Sequence, residues 1–320
     1  MRGAPDRNVP RPAGDGTEKD ETSWRWQEGD EIVPGRYALE LLGGGSDYEA
    51  YLAWDETMLA PVVAKCVRPH LLDDTHLLRA MRREADLLLG LRHPVVVRGF
   101  DVVAQGDRPH VVMEHLEGPN LASLLRRHGP LPLEQLLPLM VQVCAAVHYL
   151  HAQRVVHLDV KPRNIVMGVP PRLIDLSIAR SFDAAKKIKG YVGTDAYMAP
   201  EQCDAGSGEL GPAADVWGIG ATLFHAVAGR VPFPRPHYDK EQHEHVPEVR
   251  FPQRASDPPA PPRNAPEPVR DILVACLQKE PEARPPASEV VAMMEPMIGM
   301  LPTKPILGRI RPRLGGRRQR

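Results

Sequence analysis

The hydrophobic period changes once along this chain, and that change bounds the folds open to it. From Tyr37 the apolar residues come in short runs, Y-A-L-E-L-L, then E-A-Y-L-A-W, then A-P-V-V-A-K-C-V, broken by turn signals. Three short strands follow from that pattern. Next, L-L-D-D-T-H-L-L-R-A-M-R-R-E-A-D-L-L-L-G-L sets Leu77, Met81, Ala85 and Leu88 at helical spacing. Asp73, Asp74 or Thr75 can cap its start, and Gly90 lies near its end. V-V-V-R-G-F-D-V-V-A and R-P-H-V-V-M-E-H-L read as two more strands. After Gly118 the pattern turns helical. L-E-Q-L-L-P-L-M-V-Q-V-C-A-A-V-H-Y-L-H is apolar on more than one face and predicts a buried helix. D-V-W-G-I-G-A-T-L-F-H-A-V-A-G, V-R-D-I-L-V-A-C-L-Q-K and A-S-E-V-V-A-M-M-E predict three more, and residues 232–268, dense in proline, read as a long irregular loop. The expectation is an α+β chain of two lobes. A small lobe at 31–117 has five strands and one helix, and a larger, mainly helical lobe spans 118–298.

The flanks read differently. Residues 1–30 are polar and rich in Gly, Pro and Asp, which predicts disorder. Residues 299–320 form a basic tail ending R-I-R-P-R-L-G-G-R-R-Q-R, either a disordered arm or a contact for an anionic partner. The formal net charge of -1 leaves no global field that argues for nucleic acid. Cys66, Cys144, Cys203 and Cys276 are far apart and form no Cys-x-x-Cys pair, so neither a zinc site nor a disulfide framework is expected. No stretch is expected to span a bilayer, and no membrane anchor or apolar signal core is read. A cytoplasmic location follows as an expectation, with a homodimer left open.

One loop carries the chemistry. In V-H-L-D-V-K-P-R-N, residues 156–164, a carboxylate, an amine and an amide fall within six residues. Phosphoryl transfer needs metal ions and fixed cations to meet the charge of the donor, and a carboxylate to take the acceptor's proton. Asp159 can be that base, Lys161 can steady the moving phosphoryl group, and Asn164 offers a neutral oxygen to Mg²⁺. P-R-L-I-D-L-S supplies a second carboxylate, Asp175. Upstream, Lys65 ends an apolar strand in V-V-A-K, and Glu84 lies nineteen residues on, on the amphipathic helix. Lys65 either snorkels to solvent or is held by a partner, and a pair with Glu84 would aim it at nucleotide phosphates. Gly43, Gly44 and Gly45 in L-L-G-G-G-S-D-Y make either an ordinary hairpin turn or a bare backbone that approaches phosphates.

Taken in order, these motifs resemble a bacterial, eukaryotic-like serine/threonine protein kinase from about Tyr37 to Glu295. To those quoted are added A-P-E at Ala199–Glu201, D-V-W-G-I-G at Asp215–Gly220 and A-R-P at Ala283–Pro285. The resemblance implies a bilobal protein-kinase fold with an antiparallel N-lobe sheet. It also implies ATP as phosphate donor, Mg²⁺ as cofactor with Mn²⁺ as an alternative, and protein substrates. By the same resemblance, Lys65 contacts phosphates and pairs with Glu84, Asp159 is the base, and Asn164 and Asp175 hold the metal. Met113 stands at the gatekeeper position, Glu114 to Leu116 form the hinge, and Ala50, Ala64 and Val166 sandwich adenine. Glu201 and Arg284 form an ion pair in the large lobe, and Asp215 braces the catalytic loop. Lys161 with Gly193–Thr194 resembles serine/threonine rather than tyrosine kinases.

Three positions depart from the family pattern. The third loop glycine is Tyr48, which either folds over the phosphates or stiffens the turn. D-F-G is replaced by D-L-S, where Leu176 fills the apolar slot and Ser177 reduces flipping. Leu158 stands where many kinases carry an Arg that holds a phosphorylated activation segment. Between Phe182 and Val192 there is no Ser or Thr, only Tyr191, and Lys186, Lys187 and Lys189 occupy the region instead. Those lysines are either a solvated face or a preference for acidic surfaces. Activity without activation-segment phosphorylation is the expectation, and a pseudokinase serving as a nucleotide-binding scaffold is the alternative.

Overall fold

The computed structural model describes residues 22–206, 210–234, 247–263 and 265–301. The expectations for residues 1–21, for the proline-rich stretch at 235–246 and for the basic tail at 302–320 lie outside the described residues. The chain divides into two compact units. The first ends at Leu89 and resumes over Gly99–His115, and the second takes Gly90–Arg98 and the chain from Leu116 onward. Residues 90–98 join the second unit because their backbone pairs there. The Val97 N–H donates to the Leu173 carbonyl at 3.0 Å, and the Leu173 N–H donates to the Val95 carbonyl.

The first unit is a six-stranded antiparallel sheet, one strand more than the sequence pattern suggested. Its strands are β1 (Glu31–Val33), β2 (Arg36–Gly44), β3 (Tyr48–Asp55), β4 (Ala60–Val67), β5 (Gly99–Val103) and β6 (His110–Glu114), in the order β1-β2-β3-β4-β6-β5. The extra strand is β1. Alternation along β3 and β4 gives each face its role. Tyr51, Ala53, Val62, Ala64, Cys66 and Val112 form a core with Ile32 and Ala38 on one face. Residues 22–30, read from composition as disordered, are folded here, with Trp24 and Trp26 packed on that core. Trp24 and Trp26 stack at 4.8 Å, and Trp26 meets Tyr51 edge-on. Helix α1 (Thr75–Gly90) starts where the Asp74 carboxylate accepts the N–H groups of His76 and Leu77, at 2.8 and 3.0 Å.

The second unit is mainly helical. α2 (Leu121–His128) is capped by the Asn120 side chain, which accepts the Ser123 N–H at 2.9 Å. α3 (Leu133–Ala152) is, by length and composition, apolar enough to cross a membrane, so the expectation that no stretch qualifies is corrected. It packs as the unit's central helix, with Leu137, Met140, Cys144 and Leu150 buried. The short strands β7 (Val155–Val156), β8 (Ile165–Val166), β9 (Arg172–Leu173) and β10 (Arg180–Ser181) pair as two small ladders, β7 with β10 and β8 with β9. α4 (Phe182–Ala185) follows, then α5 (Pro212–Ala228), buried almost throughout. The proline-rich region is not wholly irregular. α6 (Pro247–Arg250) and α7 (Pro252–Ala255) are single turns around the fully buried Phe251. α8 (Glu267–Cys276) packs on α5, and α9 (Ala287–Gly299) packs on α3. All four cysteines are buried and unbridged, and burial pushes the thiols of Cys66 and Cys276 up to about 12.

Candidate active site

In the first unit, the face of the sheet opposite the aromatic core carries the polar chemistry. Lys65 and Glu84 form a bidentate pair, both Nζ–Oε distances being 2.8 Å. Glu84 is 2 % exposed, so burial leaves its carboxylate dependent on that partner. The Tyr48 ring lies 4.6 Å from the Lys65 ammonium. The residue in place of the third glycine therefore covers the lysine and sets a cation–π contact there. Ala50 pairs with Lys65 across β3 and β4, and Met113 pairs with Val63 across β4 and β6, which puts all four on one face.

That parity corrects one expectation. Ala64 is adjacent to Lys65 in a strand, so it points to the opposite face and sits in the core beside Tyr51 and Cys66. The residue that shares the face of Lys65 is Val63. Of the three glycines, Gly43 has φ 146° and Gly44 runs so close to the turn that a Cβ would lie 2.6 Å from the Tyr48 carbonyl. Glu114 ends β6 in the first unit, and Leu116 opens the second.

In the second unit, Asp159 gathers its neighbours. Its carboxylate accepts from Lys161 Nζ at 2.5 Å, from the Thr194 hydroxyl at 2.8 Å and from the Asn164 amide at 3.1 Å. Lys161 also donates to Thr194 Oγ1, and Asn164 donates again to the Asp159 carbonyl at 3.0 Å. Cation, amide and hydroxyl thus form one closed cluster around a carboxylate that is 9 % exposed. Thr194 was legible only as part of a family motif. Its hydroxyl contact with the carboxylate requires the fold to bring residues 159 and 194 together.

The loop is held in a strained shape. Leu158 has φ 65°, a left-handed conformation that costs a branched residue about 1–2 kcal/mol. Both of its backbone groups are captured. Its N–H donates to Asp215 at 2.7 Å, and its carbonyl accepts from the Gln202 amide at 2.8 Å. Its side chain is buried. Asp215, in the first turn of α5, also accepts the His157 N–H at 2.8 Å and pairs with His151 at 2.9 Å. Burial works to raise the Asp215 carboxyl, yet the hydrogen bond and charge of His151, with the His157 N–H, hold it below the usual carboxylate range.

Asp175 follows Ile174, whose N–H donates to the Asn164 carbonyl at 2.9 Å. That bond ties the D-L-S segment to the loop carrying Asp159. Asp175 itself has φ 67°, and Leu176 is fully buried. The donor set suits a hard cation. Asp175 supplies a carboxylate, and the amide nitrogen of Asn164 is engaged by Asp159, which turns its oxygen to the other side. Among the described residues no group of three or more His, Cys, Asp or Glu side chains could hold a metal alone. Magnesium bound partly through nucleotide phosphates needs no such cage. Val166 lies in β8, paired with Arg172 and bridged to Asn120.

Beyond Asp175 the segment is anchored without phosphate. Gln202, 2 % exposed, donates to the carbonyls of Leu158 and Val192 at 2.8 and 2.9 Å and accepts the Ala199 N–H at 3.0 Å. Arg250 pairs with Asp195 through two 3.2 Å contacts and lies over the rings of Tyr191 and Phe251. Gln253 donates to the carbonyls of Asp195 and Met198, at 2.7 and 3.1 Å. Sequence reasoning missed Arg250 and Gln253, because α6 and α7 hide in a proline-rich stretch. Pro247 and Pro252 at helix first positions, with Phe251 between them, were the available signal. Farther on, Arg284 grips Glu201 bidentately at 2.6 and 2.9 Å, the pairing expected from the sequence.

The first unit thus bears a Lys–Glu pair on an antiparallel sheet and one helix, and the second bears an Asp–Lys–Asn loop with a second carboxylate nearby. The family model described as the protein kinase domain matches residues 37–294, and the chain belongs to that family. Among curated proteins it is 34% identical over 236 residues to the serine/threonine-protein kinase PkaA of Streptomyces coelicolor, covering 72% of this chain and 41% of the relative. It is 32% identical over 206 residues to PrkC of Bacillus subtilis, covering 63% and 32%. With PknB of Mycobacterium leprae it shares 30% over 208 residues, covering 62% and 33%. The chain thus spans 32% to 41% of the length of these relatives.

Proposed function

We propose that this chain is a serine/threonine protein kinase that transfers the ATP γ-phosphate to hydroxyls of protein substrates. The observation that carries the reading is the closed cluster of Asp159, Lys161, Thr194 and Asn164, together with an intact Lys65–Glu84 pair. Asp159 would accept the proton of the incoming hydroxyl. Lys161, already engaged with Asp159 and Thr194, would follow the moving phosphoryl group with positive charge. Lys65 would hold the α and β phosphates, its orientation set by Glu84. Asn164 and Asp175 would bind Mg²⁺, whose part is to neutralise phosphate charge. No member of this set is lost, so nothing favours the scaffold reading.

The expected control of this activity follows from Leu158. It cannot read a phosphate as Arg does, and Gln202 and Arg250 already tie the segment. The test incubates purified chain with labelled ATP, Mg²⁺ and a general protein substrate. Wild type should transfer label to Ser or Thr, and Asp159→Asn should fall by roughly 10²–10⁴-fold, the span of a lost general base. Prior phosphatase treatment should leave the rate unchanged. Absence of transfer by wild type, or full activity in Asp159→Asn, would refute the reading.

A further inference from the structure

We propose that Arg68 is a positioning residue for nucleotide binding, clamping the tip of the glycine-rich hairpin to the N-terminal segment. The inference rests on the kinase reading and adds to it how the loop is set.

Arg68 follows β4 and meets three stretches of chain at once. Its backbone N–H donates to the Asp47 carbonyl at 3.0 Å. Its Nε donates to the Gly45 carbonyl at 2.7 Å. Its Nη1 donates to the Thr22 carbonyl at 2.7 Å and to Glu49 Oε1 at 2.9 Å. Close approach is part of the design, since a Cβ on Gly44 would lie 3.3 Å from Arg68 Nη2. Glu49 is 2 % exposed, and its other oxygen accepts the Trp24 N–H at 3.1 Å and the Tyr51 hydroxyl at 3.2 Å. Trp24 closes the network through its indole N–H, which donates to the Val67 carbonyl at 2.8 Å.

The hairpin needs such an anchor. The β2–β3 ladder shifts register twice before the tip, between Ala38 and Glu40 and between Leu41 and Gly43. Irregularities of this kind disrupt the ladder, so strand pairing alone holds the tip weakly. The same turn carries Tyr48, whose carbonyl accepts the Gly45 N–H at 3.0 Å and whose ring meets Lys65. Fixing Gly45 and Asp47 therefore fixes the backbone and the aromatic cover that face phosphate together. A loop ordered beforehand loses less freedom when ligand arrives, so the clamp acts on affinity rather than on the chemical step. Two nitrogens of one planar fork serve Gly45, Thr22 and Glu49, whereas a lysine offers a single nitrogen.

The test measures binding of a non-hydrolysable ATP analogue with Mg²⁺ by calorimetry, alongside kcat and KM for ATP and for protein substrate, on the full chain. Arg68→Ala would strand a buried carboxylate and risk unfolding, so the variants are Arg68→Lys and the double variant Arg68→Met with Glu49→Gln. The analogue Kd and KM for ATP should rise about threefold in the first and about tenfold in the second, while kcat and protein KM stay within about twofold. Wild-type affinity in the double variant, or loss of kcat in proportion to affinity, would overturn the proposal. Wild type that binds the analogue but transfers no phosphate would sink the kinase reading alone, and the Kd comparison would still decide the clamp. Wild type that fails to bind the analogue would overturn the clamp as well.

Discussion

Replacing Gln202 with methionine should uncouple the activation segment from the catalytic loop while keeping the side-chain volume. Gln202 makes three hydrogen bonds at 2.8, 2.9 and 3.0 Å, and at 2 % exposure no water is available to replace them. The substitution orphans the Leu158 and Val192 carbonyls and the Ala199 N–H. At about 1 kcal/mol for each neutral bond, the closed arrangement loses roughly 2–4 kcal/mol. A midpoint of about 3 kcal/mol shifts the equilibrium between closed and open segment by roughly a hundredfold. Gly193 shows how tight the junction is, since a Cβ there would lie 3.1 Å from both the Gln202 amide nitrogen and the Leu158 carbonyl. Hydrogen exchange across residues 186–199 should speed up by about that factor and kcat should fall, whereas exchange in α9 should hold. Unchanged exchange and unchanged kcat would show that neutral hydrogen bonds do not hold this segment, and the account of Leu158 would fail with them.

Two further outcomes follow from packing and titration. Gly218→Ala should destabilise by about 1–3 kcal/mol in urea melts, although alanine is the better helix former, because its Cβ would lie 2.8 Å from the Val160 carbonyl and 3.0 Å from the Val160 Cβ. Gly90→Ala has nothing within 4 Å and should cost nothing; a stable Gly218→Ala would refute the close fit of α5 on the catalytic loop. Burial holds His93, His110 and His225 below the ordinary histidine range. Below about pH 6.5 the unfolded chain takes up protons that the folded chain refuses. Their contribution is therefore present above that pH and lost below it, and the melting temperature should fall between pH 7.5 and pH 5.5; a flat profile would contradict the burial of these rings.

What could be read from sequence was whatever chemistry confines to a short spacing. Asp159, Lys161 and Asn164 lie within six residues, so one loop conformation suffices to gather them. Lys65 and Glu84 were legible as a strand-end lysine and a helix carboxylate, although either could have faced solvent. Ala64 shows how such reading slips. Its motif neighbour, not its parity, decided the assignment, and the two-residue period of a strand puts it opposite Lys65. Trp24, Glu49, Arg68, Gln202 and Arg250 were invisible for a different reason. Each has partners ten to fifty-five residues away, and no local pattern distinguishes a buried glutamine that bridges two loops from one that faces water. The proline-rich composition around Phe251 pointed away from structure, because proline at the first turn of a helix and proline in a loop look alike until the apolar residue between them is seen to be buried.

The strain at Leu158 joins these separate readings. A left-handed leucine persists only where its surroundings overdetermine it, and here both backbone groups are spoken for by buried side chains, Asp215 on one side and Gln202 on the other. The Asp215 carboxyl is held below the usual carboxylate range by His151 and the His157 N–H, against the burial that works to raise it. Gln202 carries no charge to titrate and no phosphate to lose. A segment held this way has no reversible anion in its latch, and on the kinase reading its catalytic loop stands ready whenever the chain is folded. On that reading, control would act on a part with a weaker hold. The glycine-rich hairpin has such a hold. Its ladder is twice irregular and its tip depends on one arginine that also reaches the N-terminal segment at Thr22. On the clamp proposed above, a change at Thr22 would reach Gly45 through Arg68, and affinity for ATP is the quantity it should move.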